Sequence, residues 1–236
     1  VHVMSDDTRY AYAVARIRGM ETRLLDRQWI ERLLSETAEG AVKAIGDSAY
    51  QDAFADVGGP DEIERGLEQA LATTLREVAA VAPEPELIDC FRLRADAANL
   101  KAFLKASLLS VESENIGITT DVGTLAPETL EKAVADKDYT ALPDFLAGAA
   151  RDAEEAFRDT DEIRAVDRTV DAALWEYQVE TAREHGNRFL EGFFRAEIDL
   201  LNVKIFARVK EAGGEAADLV PELVPEGTLD RMFFET

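Results

Sequence analysis

Apolar residues recur along this chain at steps of three and four, the spacing of one helical face, and no segment alternates in the two-residue rhythm of a half-buried strand. Tyr10, Val14 and Ile17 fall on one face, with Leu24 and Leu25 one to two turns beyond. Together they predict a first helix of about five turns, with Gly19 inside it as a tolerated flaw or a kink. Asp26 is placed to cap a second helix carrying Trp29, Ile30, Leu33 and Leu34, and Thr37 a third carrying Val42 and Ile45. The piece DVGGP at Asp56 to Pro60 breaks the pattern. After it Ile63, Leu67, Leu71, Leu75 and Val78 mark an amphipathic helix that ends before Pro83. A helix from Glu86 to about Leu109 follows, then a turn-rich connector from Gly117 to Pro127. Leu130, Val134, Tyr139, Leu142, Phe145 and Leu146 predict short helices around Pro143. Ile163, Val166, Val170, Leu174 and Tyr177 predict a long helix to near His185, and a further one runs from about Asn187 to Lys210, ended by Gly213-Gly214. The fold class is all-α.

One stretch occurs twice. Phe91 to Phe103 reads FRLRADAANLKAF and Phe194 to Phe206 reads FRAEIDLLNVKIF, so at an offset of 103 residues Phe91/Phe194, Arg92/Arg195, Asp96/Asp199, Asn99/Asn202, Lys101/Lys204 and Phe103/Phe206 are identical. A second marker, GTL, stands at Gly123 to Leu125 and again at Gly227 to Leu229, an offset of 104. Two markers with one period read as a duplicated domain-sized module rather than a short solenoid repeat. The chain divides on this reading into a first helical module at 1–118, a second at 119–218 and the start of a truncated third at 219–236.

Charge narrows the partners. The 48 Asp plus Glu against 26 Lys plus Arg leave a net charge of −22, which disfavours nucleic acid and anionic membrane surfaces and favours basic proteins or none. Seven of the basic residues are Lys and the rest Arg, with acids strewn along every segment, the look of a protein from a salt-loving microbe. An ordinary acidic cytosolic protein is the plainer alternative. Cys90 stands alone, which suits a reducing compartment, and with only His2 and His185 beside it no Cys/His zinc site can be assembled. No apolar run approaches the length of a bilayer span, so the chain reads as soluble by itself, with Met4 as a natural start.

The repeated polar residues are the strongest candidates for a role. On a helix Arg92, Asp96 and Asn99 lie close to one face, as do Arg195, Asp199 and Asn202, beside an apolar stripe of Leu93, Leu100, Phe103 and Leu104 in the first copy. An exposed ion pair contributes only ~0.3–0.5 kcal/mol. Arg92, Asp96, Asn99, Lys101, Arg195, Asp199, Asn202 and Lys204 therefore read as polar residues partly buried at a module junction; a solvated face inherited by duplication is the alternative. An Asp/Asn pair without His, Cys or a metal cage is poor catalytic equipment. Asp167 and Asp171 have the spacing of magnesium-diphosphate carboxylates, though such a pair on an acidic helix is more simply solvent-facing. His185 sits at a helix end, where a cation is favoured. Tyr10, Tyr12, Trp29 and Trp175 read as core or module-interface aromatics. Neither GxxxxGK[ST] nor GxGxxG occurs, so a phosphate-cradling loop has no support.

The N-terminal YAYAVARIRGMETRLLDRQWIERLL, the DxxN[LV]K element in both helices and the GTL openings spaced by one module resemble the C subunit of the archaeal and bacterial A/V-type ATPases, called the d subunit in the eukaryotic vacuolar proton pump. The likeness covers essentially the whole chain. It implies a funnel of three similar helical modules about a pseudo-threefold axis, acting as a non-catalytic socket during ATP synthesis or hydrogen-ion transport. Its implied partners are the central shaft subunits and the membrane proteolipid ring, on the cytoplasmic face of the membrane as a peripheral rotor component. No cofactor, no nucleic acid and no directly bound nucleotide is implied. This sequence departs from the family by ending about ten residues into the third module. Two other readings compete: an acidic helical-repeat adaptor outside any motor, and an enzyme using Asp167 and Asp171.

Overall fold

The computed structural model describes residues 8–111, 120–215 and 219–234. His2, Met4 and the module boundaries drawn at 118/119 and after 218 lie outside the described residues or at their edge. Helix of either kind takes up 73% of the described residues, which contain no strand, so the chain is all-α. Two compact units divide it, the first within Val1–Arg92 and Thr120–Thr124, the second within Leu93–Thr119 and Leu125–Thr236.

The first unit contains α1 (Ala11–Glu21), α2 (Arg27–Ser35), α3 (Ala38–Gly46), α4 (Ile63–Val81) and the start of α5 (Pro85–Leu109). The caps are where the sequence puts them: Asp26 accepts the Trp29 amide at 2.9 Å and Thr37 the Gly40 amide at 3.1 Å. The first helix is shorter than its apolar spacing predicts, 11 residues instead of about five turns. The chain turns after Glu21 and restarts at the Asp26 cap, so Leu24 and Leu25 lie in the turn and Leu24 is exposed. Tyr12 is exposed too, which removes it from the core. On α4 the expected stripe is only partly buried: Leu67 and Leu71 face solvent, and Gly66 and Ala72 are the residues turned inward. Gly66 has a steric reason, because a Cβ there would come within 2.9 Å of the Phe54 ring and of Val57 Cγ2.

The second unit contains the rest of α5, then α6 (Pro127–Asp136), α7 (Asp144–Thr160), α8 (Arg164–Glu184), α9 (Arg188–Glu211) and α10 (Arg231–Phe234). Its core joins Leu93, Leu100 and Leu104 of α5 to Leu130, Leu146, Val166 and Val170, all 5% exposed or less. The expected short helices around Pro143 are one short helix and one of 17 residues. Helix α7 is hard to see in an apolar plot because its inward face is Ala149, Ala150 and Ala153, weakly hydrophobic but the best helix former, and small enough to bring α8 close. Lys137 and Asp161 end α6 and α7 in the left-handed conformation. Phe145 stacks on Tyr177 with ring centroids 4.0 Å apart.

Buried in this unit, Tyr139 donates its phenol proton to Glu154 at 3.0 Å. Burial, then the Glu154 charge, push the phenol well above its ordinary value of 10.0. A pKa raised by folding means stability that is whole below the unfolded value and lost as pH rises past it. The expected result is a melting temperature that declines above about pH 10, more steeply in the parent chain than in Tyr139→Phe, read by thermal unfolding across that range. Equal slopes would contradict the assignment.

Candidate functional site

The eight recurrent polar residues bind, for the most part, to the chain that follows their helices. On α9 the inward face is Phe194, Ile198 and Asn202, all buried, with Asp199 half-buried beside them. Asp199 Oδ1 accepts the amides of Thr228 at 2.8 Å and Leu229 at 2.9 Å, and its other oxygen accepts the Thr228 hydroxyl. One turn on, Asn202 binds both backbone groups of Val224, donating to its carbonyl and accepting its amide, each at 2.9 Å. Arg195 pairs with Glu191 and, at 3.4 Å, with Glu226, whose backbone is left-handed (φ 72°). Gly227 is required by close approach, since a Cβ there would collide with Asp199 Oδ1 and lie 3.2 Å from Ile198 Cγ2. Beneath this turn Leu219, Leu223 and Phe234 are buried against Ile205, Phe206 and Val209 of α9.

On α5 the same bond appears. Asp96, fully buried, accepts the Leu125 amide at 3.1 Å, so the aspartate of the first FR-xxx-D and the leucine of the first GTL meet as they do in the second. Asn99 is buried to 1% exposure. Arg92 donates to the Val122 and Gly123 carbonyls and to Asp89. The lysines differ: Lys101 pairs with Asp171 at 2.5 Å, while Lys204 is exposed.

Sequence reasoning missed one pairing. Arg94 and Glu197 occupy equivalent positions at the offset of 103 and bind each other through two nitrogen–oxygen contacts, with the guanidinium 5.0 Å above the Trp175 ring. The signal was present as an Arg standing over a Glu when the two copies are superimposed. Asp167 and Asp171, whose spacing suits magnesium, instead face Lys105 at 2.9 Å and Lys101 at 2.5 Å, and so cross-link α8 to α5. His185 Nδ1 donates to the Thr181 carbonyl at the end of α8. Among the described residues no group of three His, Cys, Asp or Glu side chains could hold a metal ion.

Fold and site together define an all-α protein in which recurrent polar side chains fasten two long helices, α5 and α9, to the turns that follow them. The model of the ATP synthase (C/AC39) subunit family matches residues 13–236, and the chain belongs to that family. It is 30% identical over 237 residues to a protein of Thermococcus onnurineus named as the C subunit of an A-type ATP synthase, covering 94% of this chain and 63% of that protein. Similar proteins of the same name occur in Desulfurococcus sp., 28% identical with 63% of it covered, and in Methanosarcina acetivorans, 24% identical with 65% covered. The chain thus spans less than two thirds of the length of these relatives.

Proposed function

We propose that this chain is a non-catalytic central-stalk component of an A-type or V-type ATP synthase, coupling the rotary shaft to the membrane proteolipid ring during ion-driven ATP synthesis or ATP-driven ion transport. The observation that carries this is the family match over 13–236, together with relatives named as the C subunit of an A-type ATP synthase along 94% of the chain. Transmission of torque needs stiff bodies and broad interfaces, and recurrent polar side chains committed to backbone bonds serve stiffness. The seat is peripheral, on the cytoplasmic side of the membrane; in support, no helix among the described residues is long and apolar enough to cross one. The chain is built from modules at 1–118, 119–218 and 219 onward, and the recurrence of one Asp–Leu bond after each copy supports duplication. On that division the eight polar residues work at the joints, α5 holding the opening of the second module and α9 the opening of the third.

The test is recovery from native membranes. A tagged chain should bring down the nucleotide-binding subunits, the shaft subunits and the proteolipid of a rotary ATPase, identified by mass spectrometry. Recovery of the chain with none of them, at matched salt, would overturn the coupling role in favour of an adaptor outside any motor.

A further inference from the structure

Helix α4 exposes part of the stripe that its apolar spacing assigns to a core. Leu67, Leu71, Thr74 and Val78 follow at steps of four, three and four, so they share one face over about 16 Å of helix. Leu67 and Leu71 are nonetheless 53% and 50% exposed. Thr74 adds little polarity to this face, because its hydroxyl donates to the Ala70 carbonyl at 2.8 Å. The stripe leads into a groove of about 320 Å³ within the first unit, lined by Ile17 and Met20 of α1, Tyr50 and Ala53 of the segment before α4, and Ala70 and Val78 of α4 itself. Leu24, 64% exposed, lines it too. An apolar channel beside a bare apolar helix stripe has the form that receives another helix.

Charge selects the occupant. Three carboxylates line the groove, Glu21, Asp52 and Glu77, against one cation, Arg23. Arg23 stands 3.5 Å from Glu77 and Arg18 2.7 Å from Glu21, while Asp52 forms no ion pair among the described residues. An apolar channel with acids around it, on a chain of net charge −22, is complementary to apolar side chains flanked by Lys or Arg. An anionic lipid surface would be repelled by the same acids, and a second copy of this chain would bring another 22 negative charges. A small molecule seated in the groove would leave the Leu67 and Leu71 end of the stripe bare.

We propose that the groove beside α1 and α4 is a docking site for a basic amphipathic helix of another protein. The arriving helix lays an apolar face of about three turns along Leu67 to Val78 and sets its flanking Lys or Arg side chains against Glu21, Asp52 and Glu77. The inference stands on the first unit alone and does not depend on the coupling role.

The test titrates the intact chain into a fluorescein-labelled helical peptide of about 18 residues, Leu along one face and Lys on the rest. Titration in 1 M chloride, where the screening length is ~3 Å, suppresses attraction by net charge alone. Leu67→Asp with Leu71→Asp should weaken binding by about tenfold or more, and because both side chains are exposed the fold is kept. Asp52→Lys should weaken it about fivefold, whereas Glu155→Lys, the same change of charge at an exposed position of α7, should leave it within about twofold. The bound peptide should also slow maleimide labelling of the thiol introduced by Thr74→Cys, and Cys90, with no exposed surface, will not compete. No binding of the peptide overturns the assignment, as do undiminished binding after the Leu67 and Leu71 changes and unchanged labelling at position 74. Equal loss in Asp52→Lys and Glu155→Lys, or equal affinity for the same peptide with Glu in place of Lys, overturns it too. Self-association of the chain that the Leu67 and Leu71 changes abolish makes a second copy the occupant and has the same effect. None of these outcomes bears on recovery of the chain with ATPase subunits, so the two readings fail separately.

Discussion

Asp96→Ala is expected to destabilise the second unit by about 3 kcal/mol, and Asp96→Asn by about half of that. The carboxylate is fully buried and accepts the Leu125 amide, so alanine leaves a buried donor without its acceptor and a small void besides, whereas asparagine keeps an acceptor oxygen and the volume. The equivalent change at Asp199 removes hydrogen bonds from the Thr228 amide, the Thr228 hydroxyl and the Leu229 amide, yet it should cost less, about 1–2 kcal/mol. Water can reach the half-buried Asp199 turn and replace what is lost, and it cannot reach Asp96. Denaturant unfolding gives the ranking, and hydrogen exchange locates it: the Leu125 amide should lose protection in one variant and the Thr228 and Leu229 amides in the other. Asp199→Ala costing more than Asp96→Ala would mean that burial does not set the ranking here.

What could be read from the sequence is what repeats or obeys local chemistry. Helices α4, α5, α8 and α9 have the length and apolar period that identify them, and Asp26 and Thr37 announce their caps through a side-chain oxygen set just ahead of a helix. The identities at an offset of 103 pick out Asp96, Asp199 and Asn202. Their partners were out of reach, because an amide such as Leu125 or Val224 has no side-chain signature; GTL was visible as a marker but not as the thing the aspartate holds. Apolar spacing overextends α1 for a related reason: it counts apolar residues and is blind to a turn that keeps them in phase.

Raising salt from 0.1 M to 1 M should lift the melting temperature of this chain by about 10 °C or more. Two electrostatic contributions oppose each other. Screening weakens ion pairs, but most of those seen here are at least partly exposed, and such pairs contribute only about 0.3–0.5 kcal/mol each. Screening also relieves the mutual repulsion of a net charge of −22, and this is the larger effect. The screening length falls from ~10 Å, which spans many neighbouring acids, to ~3 Å, which spans hardly one. By Coulomb's law at the dielectric constant of water the compact state is relieved by several kcal/mol, while the expanded unfolded chain, with its charges far apart, gains much less. At roughly 2–4 °C per kcal/mol for a chain of this size, the shift is large enough to read by calorimetry. Chloride is the salt to use, because sulfate would strengthen apolar burial through its exclusion from the surface and confound the result. The chain comprises two compact units, so two transitions can appear, and the unit with the greater acidic excess should move further. A profile flat in chloride would show that the acidic surface is not matched to high salt, and would remove the salt-loving origin inferred from its Arg-over-Lys, acid-rich composition.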